Sequence, residues 1–392
     1  MIIILNNFLH TKILNNLRRC TICTLPETHE TIVFDEEGVC NVCHQHEVKI
    51  KIDWAQRKNE LIQLVDQYRG KGDYDCILPF SGGKDSTFTL WYIVNQLHLK
   101  PLVVSFDHGF YRPKNIENNE RTLRKLGVDY LKFRSNWRVV RKLMLESLKR
   151  KGDFDWHAHV GTFAYPMQIA LKFNIPLIFW GEPSSEYTAY YGYEKEEEVD
   201  ERRNNRINNL GITAEDMAGF LQGEVTLRDL APYVYPSEKD LNTMKIRSLL
   251  LGSFIPWDVR KQSEIINSEL GWEWDRVEGV PPQYPYEKTE YQLQGPRDYL
   301  KFIKRGYART THLTSIDIRN GRLTREESAN LIKQYEGKRP SSLDYLLKIL
   351  GIDENTWQSI ALSHTIPPYR HDFSKEDKEE PLWDMNQWNW NP

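Results

Sequence analysis

The sequence predicts an α/β fold, a parallel sheet with helices on both faces, preceded by a small cysteine-bearing module and followed by a mainly helical region. Three observations carry this. Short apolar runs alternate with helix-spaced segments between residues 74 and 185. A loop of glycine and serine stands between the first apolar run and the first of those helices. Two Cys-x-x-Cys pairs lie ahead of both. Apolar runs that alternate with helices are the strands of a sheet buried on both faces.

In chain order, Cys20-Thr-Ile-Cys23 and Cys40-Asn-Val-Cys43 come first, with sixteen residues between them. That spacing fits a zinc site of four thiolates. Gly38 suits a tight knuckle before the second pair. His44 and His46 are either alternative ligands or plain surface histidines. A closed four-sulfur site has no open position for water, so its expected role is structural. Residues 48–70 read as one amphipathic helix, ended by Gly70-Lys-Gly72.

Asp75–Phe80, Pro101–Phe106, Asp129–Phe133 and Ile175–Trp180 read as four strands. Helices are expected at 86–97, 115–126, 137–150 and 161–173. The strand ends Ser81, Asp107 and Gly181-Glu182 mark the edge where ligands of such sheets bind. Cys76, inside the first strand, reads as a small core residue, a nucleophile being the other reading. From 186 the pattern changes. Glu194–Glu198 and Asp200–Arg203 form a charged run, a solvated helix or loop. Beyond 240 the chain reads as helical, with a Pro-rich joint at 281–285. Thr324-Arg-Glu-Glu327 is a capping box for a helix at 329–335, and the last 25 residues read as polar and extended. The expected organisation is 1–47 for the cysteine module, 48–185 for the sheet domain and 186–392 for the helical region.

Composition sets outer bounds. The 392 residues are 40% hydrophobic and 27% charged, as in a globular chain of two or three domains. Lys and Arg total 52 against 55 Asp and Glu, which argues against a large nucleic-acid footprint. No apolar run approaches the roughly 20 residues that span a bilayer. Met1–Leu5 is apolar but short, is interrupted by Asn6 and Asn7, and has its basic residues after it. Neither a signal peptide nor an anchor is expected, and the cytoplasm is the expected location. The 12 Trp and 20 Tyr serve core packing or flat surfaces for a sugar or a base.

The loop Ser81-Gly82-Gly83-Lys84-Asp85-Ser86 is the strongest signal. Its glycines let the backbone turn sharply and approach a ligand. Loop N–H groups and the start of a helix make a nest that favours an anion. Ser81 and Ser86 add hydroxyls and Lys84 a full charge. Asp85 suits that setting only as a Mg²⁺ ligand or a helix cap. The spacing is not that of a Walker A loop.

This loop resembles the PP-loop of the ATP pyrophosphatase superfamily, which includes ammonia-dependent NAD synthetase, GMP synthetase, asparagine synthetase and tRNA-modifying enzymes. The resemblance covers roughly 74–185. It implies an adenine nucleotide alpha hydrolase-like fold, ATP cleaved to AMP and pyrophosphate, and a nucleotide site of Ser81, Gly82, Gly83, Lys84, Asp85, Ser86, Asp107 and Gly181. Lys84, Asp85 and Glu182 are the expected catalytic groups. Asp85, Glu182 and Glu186 are the expected Mg²⁺ ligands.

A zinc knuckle directly ahead of a PP-loop domain looks like the bacterial N-acetyl sugar amidotransferases of O-antigen and nonulosonic acid pathways. Tyr299-Leu-Lys-Phe-Ile-Lys-Arg-Gly-Tyr-Ala-Arg309, Ser315–Arg319, Gly321-Arg322 and Arg325–Glu327 resemble that family too, although Phe302–Arg305 departs from its more glycine-rich form. The implied reaction turns an acetamido group into an acetamidino group, with AMP transferred to the amide oxygen and ammonia then displacing it. Arg305, Arg309 and Arg319 are expected to hold a sugar carboxylate or a nucleotide diphosphate, or are plain surface charge. Tyr187, Tyr190 and Tyr191 line the pocket or pack in the core, and His157 and His159 are candidates for proton transfer. The rival readings are a tRNA-modifying thiolase or lysidine-type enzyme, and a nucleotide-binding regulator. No glutaminase nucleophile is evident, because Ile2 follows Met1 and Cys76 lies on a strand. The expected ammonia source is therefore a separate partner, like the glutaminase and cyclase subunits of imidazole glycerol phosphate synthase.

Overall fold

A computed structural model describes residues 16–181, 183–186, 188, 192–193 and 209–382. Glu182, Tyr187, Tyr190, Tyr191, the charged run 194–203 and the last ten residues lie outside these. Five strands, β1 Cys76–Pro79, β2 Pro101–Asp107, β3 Asp129–Arg134, β4 Leu177–Trp180 and β5 Arg247–Leu250, form one parallel sheet in the order β3-β2-β1-β4-β5. The first four are those expected. The fifth arises in the region read as helical. Its register on β4 runs from Leu177 opposite Arg247 to Trp180 opposite Leu250, and the Trp180 indole N–H donates to the Ser248 hydroxyl at 2.8 Å.

The described α-helices number fourteen. They are α1 Asn41–Ile50, α2 Trp54–Asp66, α3 Lys84–Asn95, α4 Pro113–Leu126, α5 Trp137–Lys151, α6 Trp156–Phe173, α7 Ala214–Phe220, α8 Glu238–Met244, α9 Val259–Leu270, α10 Gln294–Arg305, α11 Arg309–Arg319, α12 Arg325–Tyr335, α13 Ser342–Leu350 and α14 Glu354–Ser363. The single helix expected over 48–70 is two helices. Asp53 breaks it, because its carboxylate accepts from the N–H groups of Ala55 and Gln56 at 3.0 Å and caps α2. The capping box at Thr324 is present as read, and starts α12.

Side chains of β1 alternate across the sheet. Cys76 and Leu78 join the core beneath α2, α3 and α9, with Leu61, Phe88, Ile93, Ile266 and Leu270. Ile77 joins the opposite core with Met167 and Ala170 of α6. Cys76 is fully buried, so the core reading of that thiol holds. The carboxyl-terminal helices α10, α13 and α14 pack through Leu300, Leu346 and Trp357 on Val140 and Met144 of α5. Among the described residues no helix is long and apolar enough to cross a membrane.

The chain leaves β1 towards β2 on one side and returns through β4 on the other. Strand order therefore reverses at β1, and the crevice this opens lies at the carboxyl end of the central strand. The loop 81–86 stands there.

Leu249 of β5 is fully buried between the sheet and the helices above it. Leu249→Ala should cost about 2–5 kcal/mol, measured as a lower urea midpoint at unchanged slope.

Candidate active site

The two loop glycines differ. Gly82 has φ +79°, and a Cβ there would lie 1.6 Å from Asn119 Oδ1. Gly83, the N-cap of α3, has an ordinary φ of −70°, and its Cβ would meet only the tip of Glu290 at 2.8 Å. The fold thus needs glycine at 82, whereas the backbone at 83 is one that any residue adopts. The serines hold the loop shut on itself. Ser86 Oγ accepts the N–H groups of Ser81 and Gly82 at 3.3 and 3.0 Å, and Gly83 N–H donates to Ser81 Oγ at 3.3 Å. From far along the chain, the buried Trp272 indole donates to the Gly82 carbonyl at 3.1 Å. Gly181, at the end of β4, packs so closely that a Cβ would lie 2.9 Å from Thr89 Oγ1 and 3.2 Å from the Asp85 carbonyl.

Lys84 is only 3% exposed. Its Nζ lies 2.9 Å from Asp85 Oδ2 and 2.9 Å from Glu287 Oε2. Glu287 Oε1 in turn lies 3.3 Å from Arg309 Nη1, and Arg309 Nη2 lies 3.3 Å from Asp298 Oδ1. Burial pushes the Glu287 carboxyl up, but Lys84, Arg309 and Lys288 together outweigh it and hold it down to about 2. A buried ionic chain therefore runs from the loop into the carboxyl-terminal helices. Sequence reasoning missed Glu287, Glu290 and Trp272. The only signal was the acidic pair flanking Lys288 just beyond the Pro-rich joint.

Asp85 Oδ1 is buried and makes no hydrogen bond, and the Glu290 carboxylate lies against Gly83. Two carboxylates beside a phosphate loop fit Mg²⁺, which takes one or two carboxylates and completes its shell with phosphate oxygens and water. Glu186 does not fit that role. Its carboxylate accepts from Lys49 Nζ and the Tyr193 hydroxyl, tying α1 to the segment after β4. The expected ligand Glu182 and the pocket residue Tyr187 fall outside the described residues. Asp107 sits at the end of β2 as read. It is buried, it accepts the Gly109 N–H at 2.9 Å, and it pairs with Lys132 at 3.0 Å and Arg134 at 2.7 Å.

Arg309 also opens onto a cleft of about 580 Å³ with a cationic wall of Lys151, Arg297, Lys301, Lys304, Arg305 and Arg309. Four of these share one face of α10 or its end, at the i, i+4, i+7, i+8 spacing of a helix stripe. The volume suits a small molecule. Arg305 and Arg309 both line this cleft. Arg319 does not. It lies among Cys23, Cys40 and Cys43, and donates to the Glu186 carbonyl at 3.0 Å, so its charge faces the thiols and not the cleft. His157 is fully buried, with Nε2 3.3 Å from the His108 carbonyl. Burial first, and then His108, bring it down to about 3, which leaves it neutral and away from the cleft. His159 lines the cleft. Burial and Arg297 lower it to about 3, so its neutral Nε2 accepts from Arg297 at 2.6 Å.

The ligand sulfurs of Cys20, Cys23, Cys40 and Cys43 all lie within 4.8 Å of one another. Cys20 and Cys43 are 3.8 Å apart and Cys23 and Cys40 are 3.5 Å apart, near the ~3.8 Å edge of a tetrahedron with 2.3 Å metal–sulfur bonds. Cys20 Sγ accepts N–H groups from Ile22, Cys23 and Cys40 at 3.3–3.5 Å. Gly38 makes the turn at φ +79°. The donor set and geometry fit a four-thiolate metal site.

A parallel sheet with this loop at its switch point defines an α/β domain whose loop resembles a PP-loop. Behind it, residues 285–389 match the family described as "LPS biosynthesis protein WbpG-like, C-terminal domain", and this WbpG-like region carries Glu287, Glu290 and the cleft wall of α10. An uncharacterized protein of Methanocaldococcus jannaschii, MJ1599, is 29% identical over 115 residues, which span 29% of this chain and 41% of that protein. Two solved structures are similar. One is NMN synthetase from Francisella tularensis, with TM-score 0.38 and 9% identity over 73% of this chain and 93% of that one. The other is the U34-tRNA thiolase NcsA from Methanococcus maripaludis with its [4Fe-4S] cluster, with TM-score 0.31 and 12% identity over 90% and 99%.

Two outcomes follow from this geometry. Gly83→Val should keep the melting temperature and lose ATP binding, whereas Gly82→Val should lose both; calorimetry of binding and of unfolding separates them. Lys84→Ala leaves Glu287 buried beside Arg309 alone and should cost about 3–5 kcal/mol. Adding Glu287→Gln should restore most of that stability without restoring turnover. The wild-type pair should stabilise fully above pH 4.5 and fade as pH falls towards about 2, because folding lowers the Glu287 carboxyl.

Proposed function

We propose that the protein is an ATP-dependent amidotransferase acting on an N-acetyl sugar in bacterial surface-polysaccharide synthesis. The observation that carries this reading is the buried chain Lys84–Glu287–Arg309. It joins the phosphate loop to the cationic cleft of a domain whose family is described by LPS biosynthesis. ATP in the loop and an anionic sugar in the cleft then have their reacting ends at one junction.

An amide carbonyl is a poor electrophile. In the first step the acetamido oxygen attacks the α-phosphorus of ATP, a new P–O bond forms, and pyrophosphate leaves. In the second, the ammonia nitrogen attacks the imidate carbon, the C–O bond breaks, AMP departs, and a proton is released to solvent. Loop N–H groups and Lys84 steady the pyrophosphate, Asp85 and Glu290 are placed to hold Mg²⁺, and the cleft orients the sugar. Zinc is the metal assigned to the four thiolates. Cys76 disfavours the thiolase reading. It is the only cysteine outside the cluster, it is fully buried, and burial pushes its thiol well up, away from the reactive thiolate. Ammonia is assigned to a separate glutaminase partner.

The test supplies purified protein with ATP, Mg²⁺, ammonium salt and a panel of diacetamido sugars. AMP and pyrophosphate should form in step with a product in which one oxygen has been exchanged for NH, read by mass spectrometry. Glutamine should not replace ammonium until a glutaminase partner is added. AMP formation without any change in sugar mass would falsify the assignment.

A further inference from the structure

The amino-terminal module reaches the cleft. Its segment Thr28-His29-Glu30 reaches α10 of the WbpG-like domain. The Thr28 hydroxyl donates to the Arg305 carbonyl, and the Arg305 guanidinium donates back to the Thr28 carbonyl. The His29 ring is stacked on Tyr307 at 5.7 Å and set edge-on to His312 at 5.5 Å, with its side chain fully buried. These contacts fix the next residue. Glu30 lines the cleft, its Oε1 3.3 Å from both Lys301 Nζ and Arg305 Nε, while Tyr307 donates its hydroxyl to Oε2. The module is anchored from its other side as well, since Arg325 donates to the Cys20 carbonyl.

We propose that the cysteine module completes the substrate cleft, with Glu30 as a positioning residue that holds Lys301 and Arg305 at its wall, so that metal binding by the four cysteines is a condition for sugar recognition and not for nucleotide binding. This rests on the reading of the cleft as the sugar site. The module is too small to hold its shape by a hydrophobic core: the buried cluster around its cysteines adds only Leu25, Val39 and Val42. A metal site of four thiolates supplies the missing folding energy. The phosphate loop, by contrast, is set by the sheet, α3 and Trp272, none of which belongs to the module.

Glu30 acts on charge as well as on place. Lys301 faces Glu30, Arg305, Arg309 and the His312 Nε2 at 2.9 Å, with the Tyr307 ring at 4.7 Å from its ammonium. Burial pushes the Lys301 ammonium down, and Glu30 is the main group opposing it. Without the carboxylate the lysine becomes easier to deprotonate and the two cations repel. The wall then loses an ordered charge instead of gaining a free one.

The experiment measures equilibrium binding of ATP and of N-acetylglucosamine 1-phosphate, an acetamido sugar with an anionic group, to the full-length chain. Three forms are compared: metal-loaded, chelated, and metal-loaded Glu30→Gln. Chelation should weaken the sugar phosphate about tenfold or more and leave ATP binding in place. Glu30→Gln should do the same at full metal content. It should also lose the sugar phosphate at a lower pH than wild type as pH rises, because Lys301 deprotonates earlier; a merely structural substitution would not move that profile. If chelation unfolds the chain, Glu30→Gln decides alone. Unchanged sugar-phosphate affinity and pH profile in Glu30→Gln overturn the inference. A wild-type chain that binds ATP but not the sugar phosphate removes the sugar reading of the cleft and the inference with it. Wild-type binding with no AMP formed overturns the adenylation chemistry alone and leaves the binding comparison valid.

Discussion

Glu287 has no contact with solvent, and that one fact organises the centre of the molecule. A carboxylate taken out of water costs several kcal/mol unless cations replace the lost hydration. Two do, one from each side: Lys84 of the phosphate loop and Arg309 of the WbpG-like domain. Neither part can move away without leaving a buried charge uncompensated. The pair therefore acts as a latch of position, even though such pairs contribute little net stability once desolvation is counted. It also keeps the loop lysine extended towards the junction, which spares reorganisation when phosphate arrives.

The same junction depends on atoms that are missing. Gly82 is the only loop residue whose dihedrals require glycine, and it leaves room for Asn119 of α4. Gly181 lets the end of β4 lie against the first turn of α3. Gly161 admits the Phe106 ring, which would lie 2.2 Å from a Cβ there, and so brings α6 down on β2. Each is a close approach between the sheet and something laid over its carboxyl edge.

What was legible in the sequence was local. Three of the four expected strands are largely apolar runs that end in a loop, while the edge strand at Asp129–Phe133 mixes apolar and charged residues, and the loop and the cysteine pairs are legible because their spacing carries the chemistry. β5 escaped because its short run Arg247-Ser-Leu-Leu250 sits in a stretch whose surroundings read as helical. Trp272 and Gly82 are 190 residues apart, and no periodicity joins them. Arg305, Arg309 and Arg319 looked alike as three cations in one stretch. The fold separates them, because Arg319, ten residues beyond Arg309 on α11, is carried away from the cleft to the thiol cluster, where a cation offsets negative sulfur. Glu30 looked like one more acidic residue on a short loop, and only the packing of His29 against Tyr307 and His312 gives it a place in the cleft.

The charge of the cleft bears on how the proposed reaction gets its nitrogen. Among the described residues, six cations face three carboxylates there, Glu30, Asp153 and Asp298. A concave wall with that excess repels ammonium and is indifferent to ammonia. Neither lining histidine is a free base of ordinary strength: His159 accepts from Arg297, His312 lies against Lys301, and both are held well below the usual histidine range by burial and those cations. Ammonium reaching the cleft would find no group suited to remove its proton. On the proposed reaction this favours a nucleophile that arrives as neutral ammonia, of which free solution at neutral pH is a poor source. A partner that releases ammonia beside the cleft and shields it from water meets that requirement. On the proposed function, the electrostatics that suit an anionic sugar also favour a nitrogen that reaches the cleft uncharged.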